Sequence, residues 1–167
     1  VIAGDDLTGA SVFRLVEELD AGDLYGQLTQ AIAPHETAGA LLESLAGAGA
    51  ELLLRVIDAI ADGSARAEPQ LGDVTLAPKL ELADGRIDWA AAVDTVDRLI
   101  RGVTPEPGAF TTVDGGRLKV LQAARSATAD GLAPGTLGFL DGRVVVGTGS
   151  TPIELLRVQP AGKKPMS

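Results

Sequence analysis

Two adjacent carboxylates stand near the start of the chain, in Ala3-Gly4-Asp5-Asp6-Leu7-Thr8-Gly9. A carboxylate at the lip of an α/β sheet accepts a proton, or holds an imidazole in its working tautomer. The same string also reads as a turn whose aspartate bonds neighbouring backbone N–H groups. The imidazole that the first reading needs is scarce. The single histidine, His35, lies in Pro34-His35-Glu36-Thr37 ahead of a helix, where an exposed loop residue is expected. Gly147-Thr148-Gly149 lacks the third glycine of a phosphate loop and leads into Pro152 and a strand, so it is not read as a phosphate cradle.

The chain has no cysteine, which removes disulfides, thiolate catalysis and Cys-based zinc sites; no metal is expected. That composition is compatible with a reducing cytoplasm, the location expected here. No apolar run reaches the roughly 18 residues that span a bilayer, so a soluble protein with no membrane partner is expected. The opening residues carry neither a basic region nor an apolar h-region, and no secretory leader is predicted.

Charge is divided unevenly along the 167 residues, whose net is −9. Residues 1–85 hold 4 Lys/Arg against 15 Asp/Glu, whereas residues 86–167 hold 10 against 8. A shift of this kind predicts two functional units. The second is only mildly basic, so polyanion binding there must come from clustering of cations and not from total charge.

The elements that must position these residues follow from periodicity. Residues 11–16 and 24–32 read as two extended segments of a mixed sheet, separated by the turn-like Leu19-Asp20-Ala21-Gly22-Asp23. From Thr37, a candidate N-cap, Leu41, Leu45, Leu52, Val56 and Ile60 recur at helical spacing up to a stop at Asp62-Gly63. Gly47 and Gly49 weaken that helix by roughly 1 kcal/mol each relative to alanine. Residues 64–85 have no period and read as a surface linker. A shorter helix fits residues 90–101, ending before Gly102 and Pro105. Beyond Pro107 the chain reads as five short strands, at 109–113, 118–123, 137–140, 143–146 and 153–158, and their close spacing predicts a small barrel. Asp141-Gly142 is the strongest hairpin signal, because the pair supplies the positive φ angles of a type I′ turn.

A longer pattern links these pieces. Ala3-Gly4-Asp5-Asp6-Leu7-Thr8-Gly9, Leu19-Asp20-Ala21-Gly22-Asp23, Ala77-Pro78-Lys79-Leu80, Asp84-Gly85-Arg86-Ile87-Asp88-Trp89, Pro105-Glu106-Pro107-Gly108-Ala109-Phe110 and Gln159-Pro160-Ala161-Gly162-Lys163-Lys164-Pro165-Met166 occur in order along the chain. The set resembles the folate-dependent formyltransferases, and its ending resembles those members that act on methionyl-tRNA.

The resemblance implies an α/β part followed by a mostly β part. Residues 1–63 would be the C-terminal segment of a Rossmann-like catalytic domain, 64–85 a linker, and 86–167 an OB-like β-barrel that binds tRNA. It implies formyl transfer from 10-formyltetrahydrofolate to the methionine amine of initiator Met-tRNA, by a monomer, in translation initiation. Asp5 would be the essential aspartate, and the backbone of Ile2, Ala3, Gly4 and Asp5 the loop that faces the folate cosubstrate. The family's Asn-x-His motif has no counterpart in these residues, so the chain is expected to be the later part of an enzyme, inactive alone. Lys79, Arg86, Arg101, Arg117, Lys119, Arg143, Lys163 and Lys164 are the candidate tRNA contacts, with Lys163-Lys164 ranked first as the only adjacent basic pair. Trp89 is read as core, leaving little aromatic stacking. Two other readings stay open: a non-catalytic tRNA- or RNA-binding module, and formyl transfer to a nucleotide-sugar amine.

Overall fold

In the computed structural model, residues 1–126, 131–140 and 142–167 are described. The chain divides into two compact units. One comprises Asp5–Pro34 and Ala40–Pro78; the other comprises Val1–Gly4, His35–Gly39 and Lys79–Ser167.

In the first unit, β1 (Leu7–Phe13) and β2 (Leu24–Ala31) form an antiparallel pair with Leu7 opposite Ala31 and Ala10 opposite Leu28. The apolar run suggests a strand over 11–16, but pairing decides otherwise. The register runs back to Leu7 and shifts between Val12 and Phe13, leaving Leu15 and Val16 exposed. Arg14 closes the pair by ion-pairing with Asp23 at 2.7 Å. Helix α1 (Ala38–Ala61) follows the predicted period and buries Leu41, Leu52 and Val56. It meets β2 at Gly26, where an added Cβ would lie 3.1 Å from Leu52 Cδ1 and 3.3 Å from Val56 Cγ2. Ser44 and Gln30 exchange side-chain hydrogen bonds of 2.8 and 3.1 Å. Leu42, Leu54, Ile57 and Ile60 remain exposed. Residues 69–78 are exposed throughout.

The second unit is built on α2 (Val93–Gly102) and five strands: β3 (Ala109–Val113), β4 (Gly116–Arg125), β5 (Leu137–Leu140), β6 (Arg143–Val146) and β7 (Ile153–Pro160). The strand order is β3-β4-β7-β6-β5, every pair antiparallel. Register shifts in β4 around Gln122 add local twist, which curls the sheet. Among the described residues β3 and β5 are the ends of this order, so the sheet is curled but its pairing is not closed. The β5–β6 hairpin has the expected register, Leu137 opposite Val146 and Leu140 opposite Arg143. Of its turn, Asp141 lies outside the described residues and Gly142 has φ +80°.

The core of this unit joins the apolar face of α2, Val93, Val96 and Ile100, to Ile87, Val103, Ala109, Val120, Val146 and Ile153. Trp89 packs against it, and its Nε1–H donates to Thr111 Oγ1 at 3.0 Å, so the core reading of this residue holds. The start of α2 departs from the sequence-based estimate by three residues. Asp88 Oδ1 accepts the Ala90 N–H at 2.9 Å in a turn, and Ser150 Oγ accepts the Val93 N–H at 2.9 Å. No helix of the described residues is long and apolar enough to cross a membrane.

Candidate functional site

The residues singled out by the sequence fall in two places. The first is the loop Val1–Gly4 and the carboxylates after it. The Gly4 N–H donates to the Val1 carbonyl at 3.1 Å, and Gly4 has φ +85°, a conformation that favours glycine. Asp5 and Asp6 are exposed. Neither carboxylate has a hydrogen-bond or ion-pair partner among the described residues, so the side-chain bonds of an aspartate turn are not formed. The Asp5 carboxylate is thereby left with its lone pairs unspent.

The loop rests on α2. The Ile2 side chain occupies the space a Cβ would take at Gly102, and the Arg98 guanidinium occupies that space at Gly4. One helical step away, Arg101 Nε donates to Asp97 Oδ2 at 3.0 Å, and its Nη1 donates to the Glu36 carbonyl at 3.1 Å. Helix α2 therefore holds two pieces of chain, Val1–Gly4 and His35–Gly39. Sequence reading missed Arg98, Asp97 and Gly102; Gly102 looks like a helix stop, and nothing local reveals that it receives a side chain.

The second place is one end of the curled sheet. Arg117 and Lys119 are alternate residues of β4 and so project from one face. Phe110, the register partner of Lys119, lies beneath Arg117, whose guanidinium carbon is 5.0 Å from the ring centroid. Arg117 and Lys119 line a depression of about 180 Å³ with Gln159, Pro160, Ala161 and Gly162. The turn that carries the lysine pair is anchored here: Gln159 Nε2 donates to the Lys163 carbonyl at 2.9 Å, and the Ala161 N–H donates to the Arg117 carbonyl at 3.0 Å. Gly162 turns the chain with φ +71°, leaving Lys163 and Lys164 exposed.

The other cations stand apart in their surroundings. Arg86 pairs through its backbone with Phe110 and borders a separate depression with Trp89, Pro134 and Gly135. Lys79 is exposed. Arg143 is spent on Glu154 at 3.3 Å, and Arg101 on Asp97 and Glu36. The structure thus brings Arg117, Lys119 and the Lys163 turn together, and gives Arg101 work inside the unit. A further cavity of about 580 Å³ lies between α2 and the sheet, walled by Ile100, Pro105, Leu121 and Leu156 with His35 and Arg157 at its polar positions. His35 is exposed, as its loop context predicts.

The chain matches an enzyme family that moves formyl groups. Residues 79–167 match the description "Formyl transferase, C-terminal domain", and residues 1–57 match "Formyl transferase". The chain belongs to the formyl transferase family. It is 55% identical over 166 residues to a methionyl-tRNA formyltransferase of Clavibacter michiganensis subsp. michiganensis, covering 99% of this chain and 54% of that protein. It is 53% identical over 168 residues to the methionyl-tRNA formyltransferase of Arthrobacter sp. (strain FB24), covering 100% and 55%. The chain therefore spans about half the length of the curated relatives it matches. In fold it is similar to HypX from Aquifex aeolicus, solved in complex with tetrahydrofolic acid, with a TM-score of 0.76 and 23% identity over 99% of this chain and 29% of that one.

Proposed function

We propose that this chain is the later part of an enzyme that transfers a formyl group from 10-formyltetrahydrofolate to the methionine amine of initiator Met-tRNA. The observation that carries the reading is identity of 55% and 53%, over essentially the whole chain, to proteins described as methionyl-tRNA formyltransferases. The basic end of the curled sheet supports a polyanionic acceptor. Its cations alternate along β4 and turn onto Lys163-Lys164, a spacing suited to tracking a phosphate backbone. Aromatic stacking is limited to the exposed Phe139, since Trp89 is tied to the core and Phe110 lies under Arg117. Shape and phosphate contact then dominate, as suits a folded acceptor stem.

In the proposed reaction the amine nitrogen attacks the formyl carbon, and the carbonyl electrons move onto oxygen to give a tetrahedral intermediate. Collapse breaks the bond to the folate nitrogen, which takes a proton while the amine gives one up. Asp5, exposed and unpartnered, is the group of this chain that would serve proton movement, by raising the basicity of the family's Asn-x-His imidazole. No Asn-x-His sequence occurs in these 167 residues. The main chain of Ile2, Ala3, Gly4 and Asp5 would face the folate.

The proposed domain division is 1–63 for the segment of a Rossmann-like catalytic domain, 64–85 for the linker and 86–167 for an OB-like barrel. Two features support a larger first domain: a sheet of only two strands, which rarely stands alone, and the exposed leucines of α1. We read the enzyme as a cytoplasmic monomer.

The test uses the full-length protein that contains this chain, with 10-formyltetrahydrofolate as donor and initiator Met-tRNA or a nucleotide-sugar amine as acceptor. Formylation of the tRNA supports the reading. Formylation of the sugar amine alone replaces the acceptor, and tRNA binding without transfer to either leaves only a binding module.

A further inference from the structure

Helix α2 belongs to the part of the chain read as tRNA-binding, yet two of its residues grip the loop read as facing the donor. Arg98 and Gly102 are four apart and so lie on one stripe of the helix. Gly102 is buried and helical, with no positive φ to require glycine. What requires glycine is Ile2, whose side chain fills the Cβ position and whose backbone nitrogen lies 3.3 Å from it. Arg98 is half-buried against Gly4 and has no hydrogen-bond or ion-pair partner among the described residues. Gly4 is held to glycine by its φ of +85°, and the guanidinium lies where a Cβ would stand. The contact is one of packing: a planar cation laid against a peptide turn, and a side chain seated in a helix notch.

We propose that Arg98 and Gly102 are positioning residues for the donor folate: α2 fixes the Val1–Gly4 turn, and the turn presents its backbone groups to the planar heterocycle. This rests on the reading of Ile2, Ala3, Gly4 and Asp5 as the donor-facing loop. A backbone edge that pairs with a heterocycle must be held within about 0.5 Å of its working geometry, and a four-residue turn cannot supply that rigidity alone. The notch at Gly102 and the cover at Arg98 supply it at two points of the turn, Ile2 and Gly4.

The test is made in the full-length protein, by amide exchange at Gly4 and by equilibrium binding of tetrahydrofolate. In Gly102→Ala the new methyl displaces Ile2, so Gly4 exchange should rise and folate affinity fall at least tenfold, while tRNA affinity stays unchanged. Adding Ile2→Ala makes room for the methyl and should restore most of both losses. Arg98→Ala adds no atoms, folds without a steric penalty, and should also raise Gly4 exchange and weaken folate binding. Unchanged exchange in both Gly102→Ala and Arg98→Ala would overturn the proposal whatever the folate affinity. Raised exchange with folate affinity equal to that of the wild type would likewise overturn it. A wild-type protein that binds no tetrahydrofolate would instead remove the donor reading itself, and the proposal would fall with it.

Discussion

Asp97 and Arg101 form a buried ion pair one helical turn apart on α2, at 3.0 Å with side-chain exposures of 6% and 14%. The arginine spends a second donor on the Glu36 carbonyl, 65 residues away in the chain. A helix of the sheet unit is thereby tied to the segment that leads into α1. Removing one member of a buried pair leaves the other charged and uncompensated, which costs about 3–5 kcal/mol. Asp97→Ala should lower stability by that order, whereas Asp97→Leu combined with Arg101→Met should recover most of it. Urea unfolding of the three proteins checks this; an unchanged midpoint in the single variant would mean that the Glu36 bond alone satisfies Arg101.

Asp5 makes no side-chain bond that its loss would break, so Asp5→Asn is expected to leave the fold intact. In the full-length protein, turnover should fall by orders of magnitude with little change in tRNA affinity, because an amide cannot support the basicity of an imidazole. Steady-state kinetics with Met-tRNA decides. Equal turnover would take Asp5 out of the mechanism.

Salt dependence reads the basic face directly. Each phosphate contact removed should reduce the slope of log K against log salt by about 0.7–0.9. Lys163→Ala and Lys119→Ala are expected to do so, and Arg143→Ala, whose cation is spent on Glu154, is not. Binding titrations at several salt concentrations, made with the full-length protein and tRNA, give the slopes. Slopes indifferent to Lys119 and Lys163 would move the tRNA to another surface.

The core offers a plainer check. Ile100 is 1% exposed and packs α2 onto the sheet. Ile100→Ala should cost about 2–5 kcal/mol through lost burial and the cavity left behind. The single tryptophan lies beside that core, so its fluorescence follows the unfolding. A loss below 1 kcal/mol would show that the site collapses on truncation.

Trp89 also donates from its indole to Thr111 across the start of the sheet. Trp89→Phe keeps most of the apolar surface and loses that bond, for an expected cost of about 1 kcal/mol. Because the substitution removes the fluorophore, thermal unfolding followed by circular dichroism is the suitable measurement. Thr111→Val should cost a similar amount, and a double variant should cost little more than either alone.

Much of this was legible from local pattern. The repeat of Leu41, Leu52 and Val56 specifies α1 as Ala38–Ala61, and the glycine after Asp62 ends it. Strands at Ala109–Val113, Leu137–Leu140 and Arg143–Val146 stand where their composition and turns predict them. The motif that resembles the formyltransferases was likewise present in the order of its residues. These signals are local because a helix period, a turn glycine and a strand alternation are properties of neighbouring residues.

The remainder came from contacts between distant parts of the chain. Composition makes Arg101, Arg117, Lys119 and Lys163 cations of a mildly basic half but does not say which are free. Arg101 is withdrawn by Asp97 and Glu36, while Gln159 gathers the Lys163 turn toward Lys119. Helix α2 begins at Val93 because Ser150, 57 residues on, accepts its N–H, and β1 begins at Leu7 because Ala31 pairs with it. Gly102 looks like punctuation until Ile2 is found in its notch. Each of these depends on atoms brought together from distant parts of the chain. Packing and hydrogen bonding act through space, and no window of neighbouring residues contains the partner.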